Sequence, residues 1–186
     1  DGSKSTATLL KGLEREANIL KDVDHPVLPR IVDIINENGT IYVVMDFVEG
    51  RPLSDVLKAE GAQPQEKVIE WGRALASALD YLHSMNPPII YRDMKPSNVM
   101  LSDCRAVLID FDAARQYREN DNSRDTVCLG TQGYAPPEQY GFSQTDQRSD
   151  IYSLGVLIKE ISSHTPEFGL APVLSKCTAF SPDERY

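Results

Sequence analysis

No apolar run in the 186 residues approaches the roughly 20 needed to cross a bilayer as a helix, and no secretory leader opens the chain. A membrane segment is therefore not expected in this chain. Cysteine is scarce: Cys104, Cys128 and Cys177 are an odd number at wide spacing, without a CxxC pair. That argues against a disulfide frame or a zinc site and for reduced thiols. Cys128 has no flanking base to lower its pKa, so it reads as a packed or partly exposed thiol. The histidines, His25, His83 and His164, are scattered, which fits structural roles better than metal binding. Positive charge is in deficit: 19 Lys and Arg against 28 Asp and Glu give a net charge of −9. With no basic stripe, nucleic acid is not an expected partner, and the acidity reads as a solubility feature.

What is present is enough for one sizeable core, with 41% hydrophobic and 25% charged residues. Leu9, Leu13, Ala17 and Leu20 fall at helical spacing and predict a helix over Leu9 to Val23, stopped by His25-Pro26. Leu28 to Asn36 and Ile41 to Val48 are rich in β-branched residues. The turn Glu37-Asn38-Gly39 between them predicts a hairpin. Glu49 to Pro52 reads as a turn, followed by a short helix from Leu53 to Lys58. The clearest helix runs from Gln65 to Met85, with Ile69, Leu75, Leu79 and Leu82 near one stripe widened by Trp71 and Ala78. Asn86-Pro87-Pro88 ends it. Short strands are expected at Ile89-Ile90, Val99 to Leu101 and Val107 to Ile109, then a polar loop from Gln116 to Thr126. Two more helices are expected, Asp150 to Ile161, deeply buried, and Leu170 to Phe180. The order is a small mixed piece followed by a mainly helical one, joined near Asp46 to Gly50.

Chemistry concentrates in Tyr91-Arg92-Asp93-Met94-Lys95-Pro96-Ser97-Asn98, which places a carboxylate, an ammonium and a carboxamide within eight residues. A second acid, Asp110, ends the apolar run Val107-Leu108-Ile109. Such a loop can set Asp93 beside a hydroxyl, Lys95 beside a phosphate, and Asn98 with Asp110 around a hard cation. Mg²⁺ takes oxygen ligands and keeps phosphate and water in its shell, so one Asn and one Asp suffice. Phosphoryl transfer depends mainly on positioning and charge stabilisation. Taken singly, Asp93 reads as a turn residue, Lys95 as a solvated lysine and Asn98 as a loop residue. Their joint spacing reads as a site.

The sequence resembles the protein kinase family. Tyr91-Arg92-Asp93 resembles its HRD catalytic loop with Tyr for His, and Asp110-Phe111-Asp112 resembles DFG with Asp for Gly. Ala135-Pro136-Pro137-Glu138 resembles the APE region. The resemblance covers essentially the whole chain and implies an α+β, two-lobed fold. Residues 1–48 would be the remnant of the small lobe (helix αC, two strands and hinge), and 49–186 the helical lobe with catalytic loop and activation segment. It further implies a Ser/Thr protein kinase using ATP and Mg²⁺ on protein substrates. The setting would be cytoplasmic, or the cytoplasmic domain of a membrane-tethered protein. By resemblance Asp93 is the catalytic base, Lys95 contacts the transferred phosphate, and Asn98 and Asp110 hold Mg²⁺. Glu16 is the helix αC glutamate that pairs with a strand lysine. Met45 guards the adenine pocket, Asp46 and Val48 offer hinge backbone groups, and Met100 lies beneath the adenine. Thr131, with Gly130 and Tyr134, belongs to the segment that docks substrate. Glu138 and Arg185 resemble a buried ion pair, and Asp150 the acid that holds the catalytic loop. Leu20, Ile31, Tyr91 and Phe111 resemble the column of apolar side chains between the lobes. The phrase Thr126 to Gly141 resembles kinases of Gram-positive anaerobes. Ser123 and Thr126 are candidate phosphorylation sites that would pair with Arg92.

The chain also departs from the family pattern. A glycine-rich loop and strand lysine are absent, and the lysine would sit just before residue 1. Arg185 follows Asp150 by 35 positions, short of room for the usual extra helix. A truncated piece, a natural deletion and omitted mobile regions are the three explanations, with loss of flanking or mobile pieces from an ordinary kinase favoured. Asp112 stands where the family pattern has a glycine, and backbone freedom matters there. Two rivals stand beside the Ser/Thr kinase: a pseudokinase scaffold that only binds, and a small-molecule phosphotransferase with the same catalytic core. Retention of Asp93, Lys95, Asn98 and Asp110 counts against the first; Lys95-Pro96, Thr131 and Pro137-Glu138 count against the second.

Overall fold

The computed structural model describes residues 21–38, 40–103, 105–117, 131–140, 145–162 and 169–186. Glu16, Leu20, Ser123, Thr126, Cys128, Gly130 and His164 lie outside the described residues, as does most of the first expected helix. Its last expected residues, 21–23, are not helical: Lys21 and Asp22 form a turn.

Strands β1 (Ile31–Glu37) and β2 (Thr40–Met45) pair antiparallel from Ile31↔Met45 to Glu37↔Thr40. Asn38 turns the hairpin with φ 51°, a conformation Asn tolerates better than most residues. β1 starts three residues later than its β-branched run suggests. The Leu28 N–H bonds the carbonyl of His25, and the Leu28 side chain is buried in the core. β2 stops at Met45, after which the Asp46 N–H bonds the Arg30 carbonyl.

Residues Arg51–Pro52, expected as part of a turn, form β3, paired with β5 (Val99–Ser102). β5 also pairs with β6 (Arg105–Leu108), giving the antiparallel order β3-β5-β6. Gly50, just before β3, makes the pairing possible. A Cβ there would sit 2.3 Å from the Leu101 carbonyl oxygen. β4 (Ile89–Ile90) pairs with β7 (Arg115–Gln116), so Gln116, expected as the first residue of a polar loop, lies in a strand; 118–126 lie outside the described residues.

Helix α1 (Leu53–Glu60) is followed by α2 (Gln65–Ser84). The buried stripe of α2 is Val68, Trp71, Leu75, Ala78, Leu79 and Leu82. Val68 takes the inward place expected for Ile69, because 68, 71, 75, 79 and 82 keep the three-to-four spacing of one helix face. Helix α3 (Gln147–Ile161) begins earlier than its apolar pattern, because the Asp146 side chain caps it by accepting from the Arg148 N–H at 2.8 Å. Gly155 lets the last helix, α4 (Ala171–Cys177), approach: a Cβ at 155 would lie 2.6 Å from Cys177 Cβ. α4 is shorter than expected, since the carbonyls of Ala179 and Phe180 accept from Arg185.

One apolar cluster joins these parts. Val23, Val27, Leu28 and Ile31 share it with α2, α3, Met94, Val99, Leu108 and Phe111. The Leu108 N–H bonds the Val27 carbonyl at 2.9 Å, and the Asp24 N–H bonds the Tyr81 hydroxyl at 3.0 Å. The stretch before the hairpin is thus fixed to the helical part. No helix of the described residues is long and apolar enough to cross a membrane.

A buried ion pair closes the fold. Arg185 donates to Glu138 Oε1 at 2.6 Å and Oε2 at 3.0 Å, and Ser149 Oγ donates to Oε1 at 2.8 Å. Further guanidinium contacts reach the carbonyls of Arg148, Ala179 and Phe180. Truncation would strand the partner's charge out of water. Arg185→Ala is expected to lower stability by about 3–5 kcal/mol, measured as a drop in the urea midpoint with an unchanged m-value. An unchanged midpoint contradicts this role.

Candidate active site

The segment 91–98 is held first by its backbone. Asp150, on α3, is fully buried, and its carboxylate accepts from the N–H groups of Tyr91 at 2.8 Å and Arg92 at 2.7 Å. His83 Nε2, at the end of α2, lies 2.8 Å from Asp150 Oδ2. A buried carboxylate is tolerable only when so hydrogen-bonded. Arg92 adopts φ 72°, a left-handed conformation disfavoured for residues with a Cβ. The contacts to Asp150 compensate for it. Pro96–Asn98 then form a single 3₁₀ turn, closed by the Asn98 N–H on the Lys95 carbonyl at 3.0 Å.

Four side chains converge around that turn. Asp93 Oδ2 accepts from Lys95 Nζ at 2.6 Å and from Asn98 Nδ2 at 3.0 Å. Asp93 Oδ1 accepts from the Thr131 hydroxyl at 2.9 Å, and Lys95 Nζ also reaches Thr131 Oγ1 at 3.0 Å. Thr131 stands 38 positions from Asp93 in sequence and meets it only through the fold. A cavity of about 400 Å³ opens beside Lys95 and Thr131, walled by Leu57, Lys58, Pro96, Tyr134 and Glu160. The Tyr134 hydroxyl donates to Glu160. Burial, then that bond, pushes it well above the usual tyrosine range.

The second acid arrives through the backbone. The Ile109 N–H bonds the Asn98 carbonyl at 2.8 Å, which brings the start of the 110–112 segment to the 96–98 turn. Asp110 takes φ 68° and accepts from the Asp112 N–H at 3.1 Å. The left-handed conformation therefore falls on Asp110, and Asp112 is not among the residues with positive φ. Aspartate at position 112 carries no such backbone penalty. The Asn98 amide is oriented unambiguously. Both Asp93 atoms it faces, the carbonyl and Oδ2, only accept, so its nitrogen points there and its Oδ1 points away. That leaves an oxygen acceptor on Asn98 and a carboxylate on Asp110, a donor set suited to a hard cation that keeps phosphate and water ligands. Among the described residues no group of three or more His, Cys, Asp and Glu side chains could hold a metal unaided.

Tyr91 lies beneath both acids. Its hydroxyl donates to the Ile109 carbonyl, and its ring meets Phe111 edge-on with centroids 5.6 Å apart. Ile31, Tyr91 and Phe111 all belong to the one core cluster. On the far side, Met45 ends β2 half-buried against the core, and the Asp46 N–H is taken by the Arg30 carbonyl. Val48 follows, partly buried. Met100 lies on β5, its Cγ 3.2 Å from where a Cβ on Gly50 would sit, so β5 packs against the connection after β2. Sequence reasoning misses two polar side chains that contact the loop or its anchor. Gln139 Nε2 donates to the Arg92 carbonyl at 2.8 Å, and His83 contacts Asp150. Neither carries a local signal, since each acts over a separation of 47 or more residues.

Comparison with known proteins matches residues 2–177 to the family described as Protein kinase domain. The chain is 31% identical over 175 residues to "Probable serine/threonine-protein kinase CPE1738" of Clostridium perfringens, covering 93% of this chain and 25% of that protein. It is 34% identical over 166 residues to the serine/threonine-protein kinase PknB of Mycobacterium leprae, covering 86% and 26%. It is 38% identical over 164 residues to the serine/threonine-protein kinase pkn2 of Myxococcus xanthus, covering 84% and 19%. The chain thus spans about a quarter or less of the length of these relatives.

Tyr91 gives the site a pH signature. Burial, then the charges of Asp110 and Asp93, push its hydroxyl well above the usual tyrosine range. The unfolded chain releases this proton near pH 10 while the folded state keeps it, so the stability from Tyr91 is full below about pH 10 and lost as pH rises beyond. Tyr91→Phe is expected to cost about 0.5–1.5 kcal/mol at neutral pH and to flatten the alkaline fall in stability. Denaturation from pH 7 to 11 measures both; an alkaline fall identical in the two proteins contradicts the assignment.

Proposed function

The chain belongs to the protein kinase family, and from that premise we propose that the protein of which it forms part transfers the γ-phosphate of ATP to Ser or Thr hydroxyls of proteins. The observation that carries this reading is the convergence of Lys95, Asn98 and Thr131 on the Asp93 carboxylate. Asp93 is the group that accepts the proton of the attacking hydroxyl. Lys95, within reach of both Asp93 and Thr131, brings positive charge to the transferred phosphoryl group. Thr131 and the adjacent cavity receive the acceptor segment of the substrate. Asn98 and Asp110 would hold Mg²⁺, which when bound neutralises charge on the phosphates. Met45, the backbone groups of Asp46 and Val48, and Met100 would bound the adenine, and Glu16 takes the place of the helix glutamate in the family pattern. The division at residues 48 and 49 then separates a small nucleotide-covering part from the helical part. The setting is the cytoplasm, or the cytoplasmic domain of a membrane-tethered protein, where ATP is supplied. The Clostridium relative supports a bacterial source of Gram-positive type.

The scaffold reading rests on Asp112 and the absent lysine. Asp112 shows no backbone strain, and the four catalytic-loop and metal-binding groups are present, so an enzyme is the better reading.

In the full-length protein, Asp93→Asn is expected to reduce transfer by about 100- to 10,000-fold while leaving the melting temperature within a few degrees. Radiolabelled phosphate transfer to a protein substrate measures this; wild-type turnover in the variant would falsify the assignment of Asp93. Asp110→Asn is expected to remove the thermal shift produced by Mg-ATP. A shift of wild-type size in that variant would show that the nucleotide-metal site lies elsewhere.

A further inference from the structure

We propose that Gln139 is a positioning residue for phosphoryl transfer, setting the catalytic loop through the main chain of Arg92. This rests on the kinase reading above and adds a residue to it. Gln139 lies on the 3₁₀ turn Pro137–Tyr140, next to the Glu138 ion pair, and is 1% exposed. Its Nε2 donates to the Arg92 carbonyl at 2.8 Å. The amide orientation is dictated, because a carbonyl only accepts. Its Oε1 is buried without a hydrogen-bond partner among the described residues.

The burial bears on why glutamine stands here. An apolar side chain of similar length would fill the same volume without the cost of taking an amide out of water, so packing alone favours Met. What glutamine adds is the donor to Arg92. Arg92 is the residue with φ 72°, and it precedes Asp93. Its N–H is held by Asp150 and its C=O by Gln139, so both flanking peptides of the disfavoured residue are gripped. Release of the carbonyl lets the residue relax toward a commoner conformation and turns the Asp93 side chain.

The geometry also ties the loop to the segment that docks substrate. The N–H groups of Tyr134 and Ala135 bond the Thr131 carbonyl, and the Gln139 N–H bonds the Pro136 carbonyl. Residues 131–140 thus fold as successive turns and touch the loop through two side chains, Thr131 on the Asp93 carboxylate and the Lys95 ammonium, and Gln139 on the Arg92 carbonyl. Folding of this segment and alignment of the base are then one event.

The test is Gln139→Met in the full-length protein, which keeps length and burial and removes the donor. The expected result is a fall in kcat of about 10- to 100-fold, as for a small misplacement of a reacting group. KM for ATP should stay within about twofold, since the nucleotide contacts are untouched. Amide exchange at Tyr91 and Arg92 should accelerate while exchange in α2 stays unchanged. A wild-type kcat, or exchange that accelerates equally throughout, overturns the proposal. If the Met variant fails to fold, Gln139→Glu at pH 8, which sets an acceptor against the Arg92 carbonyl, should show the same loss; wild-type kcat there also overturns it. Should wild-type protein transfer no phosphate, the kinase reading fails by itself. The exchange comparison still decides the role of Gln139, with unchanged rates at Tyr91 and Arg92 counting against it.

Discussion

The buried carboxylate of Asp150 is the interaction on which the rest of the site depends. A charge with no exposure to water must be matched by hydrogen-bond partners, and here they are two consecutive backbone N–H groups and an imidazole. This fixes the main chain at Tyr91 and Arg92 against α3. From that anchor the chain can hold a left-handed Arg92, and the residue after it, Asp93, is aimed at the same point as Lys95, Asn98 and Thr131. The candidate site thus sits on a short irregular segment, while its placement comes from a helix.

Three elements distant in sequence report to that segment. α3 holds its N–H groups, the chain leaving strand β6 delivers Asp110 through the Ile109–Asn98 bond, and the 131–140 segment supplies Thr131 and Gln139. The 131–140 segment is itself held by Glu138, whose pairing with Arg185 engages the end of the helical part. Arg185 is therefore connected to Asp93 through Glu138, Gln139 and Arg92, every one of them buried.

Much of this is legible in the sequence, and the failures are informative. Periodicity locates α2 because 20 residues of helix carry a regular stripe, and the eight-residue cluster around Asp93 stands out as a candidate site by its spacing. The two-residue strands β3 and β7 escape notice because a pair of residues has no period. Their pairing is imposed by partners far along the chain, Leu101 for Arg51 and Ile89 for Gln116. Asp112, at the place where the family pattern has glycine, looks costly in sequence, yet the positive φ belongs to Asp110, two residues earlier. His83 and Gln139 read as ordinary residues, since a single polar side chain gives no hint of the buried carboxylate or carbonyl it will meet.

Native-state amide hydrogen exchange of the unaltered protein tests the anchoring by Asp150 most directly. If the two backbone bonds to Asp150 hold the 91–98 segment, the amides of Tyr91 and Arg92 exchange only through the opening that exposes the buried core of α3, with protection equal to that of Leu154 and Leu157. Exchange at Tyr91 and Arg92 orders of magnitude faster than in α3 would mean the loop opens independently, and the account of how Asp93 is positioned would be wrong.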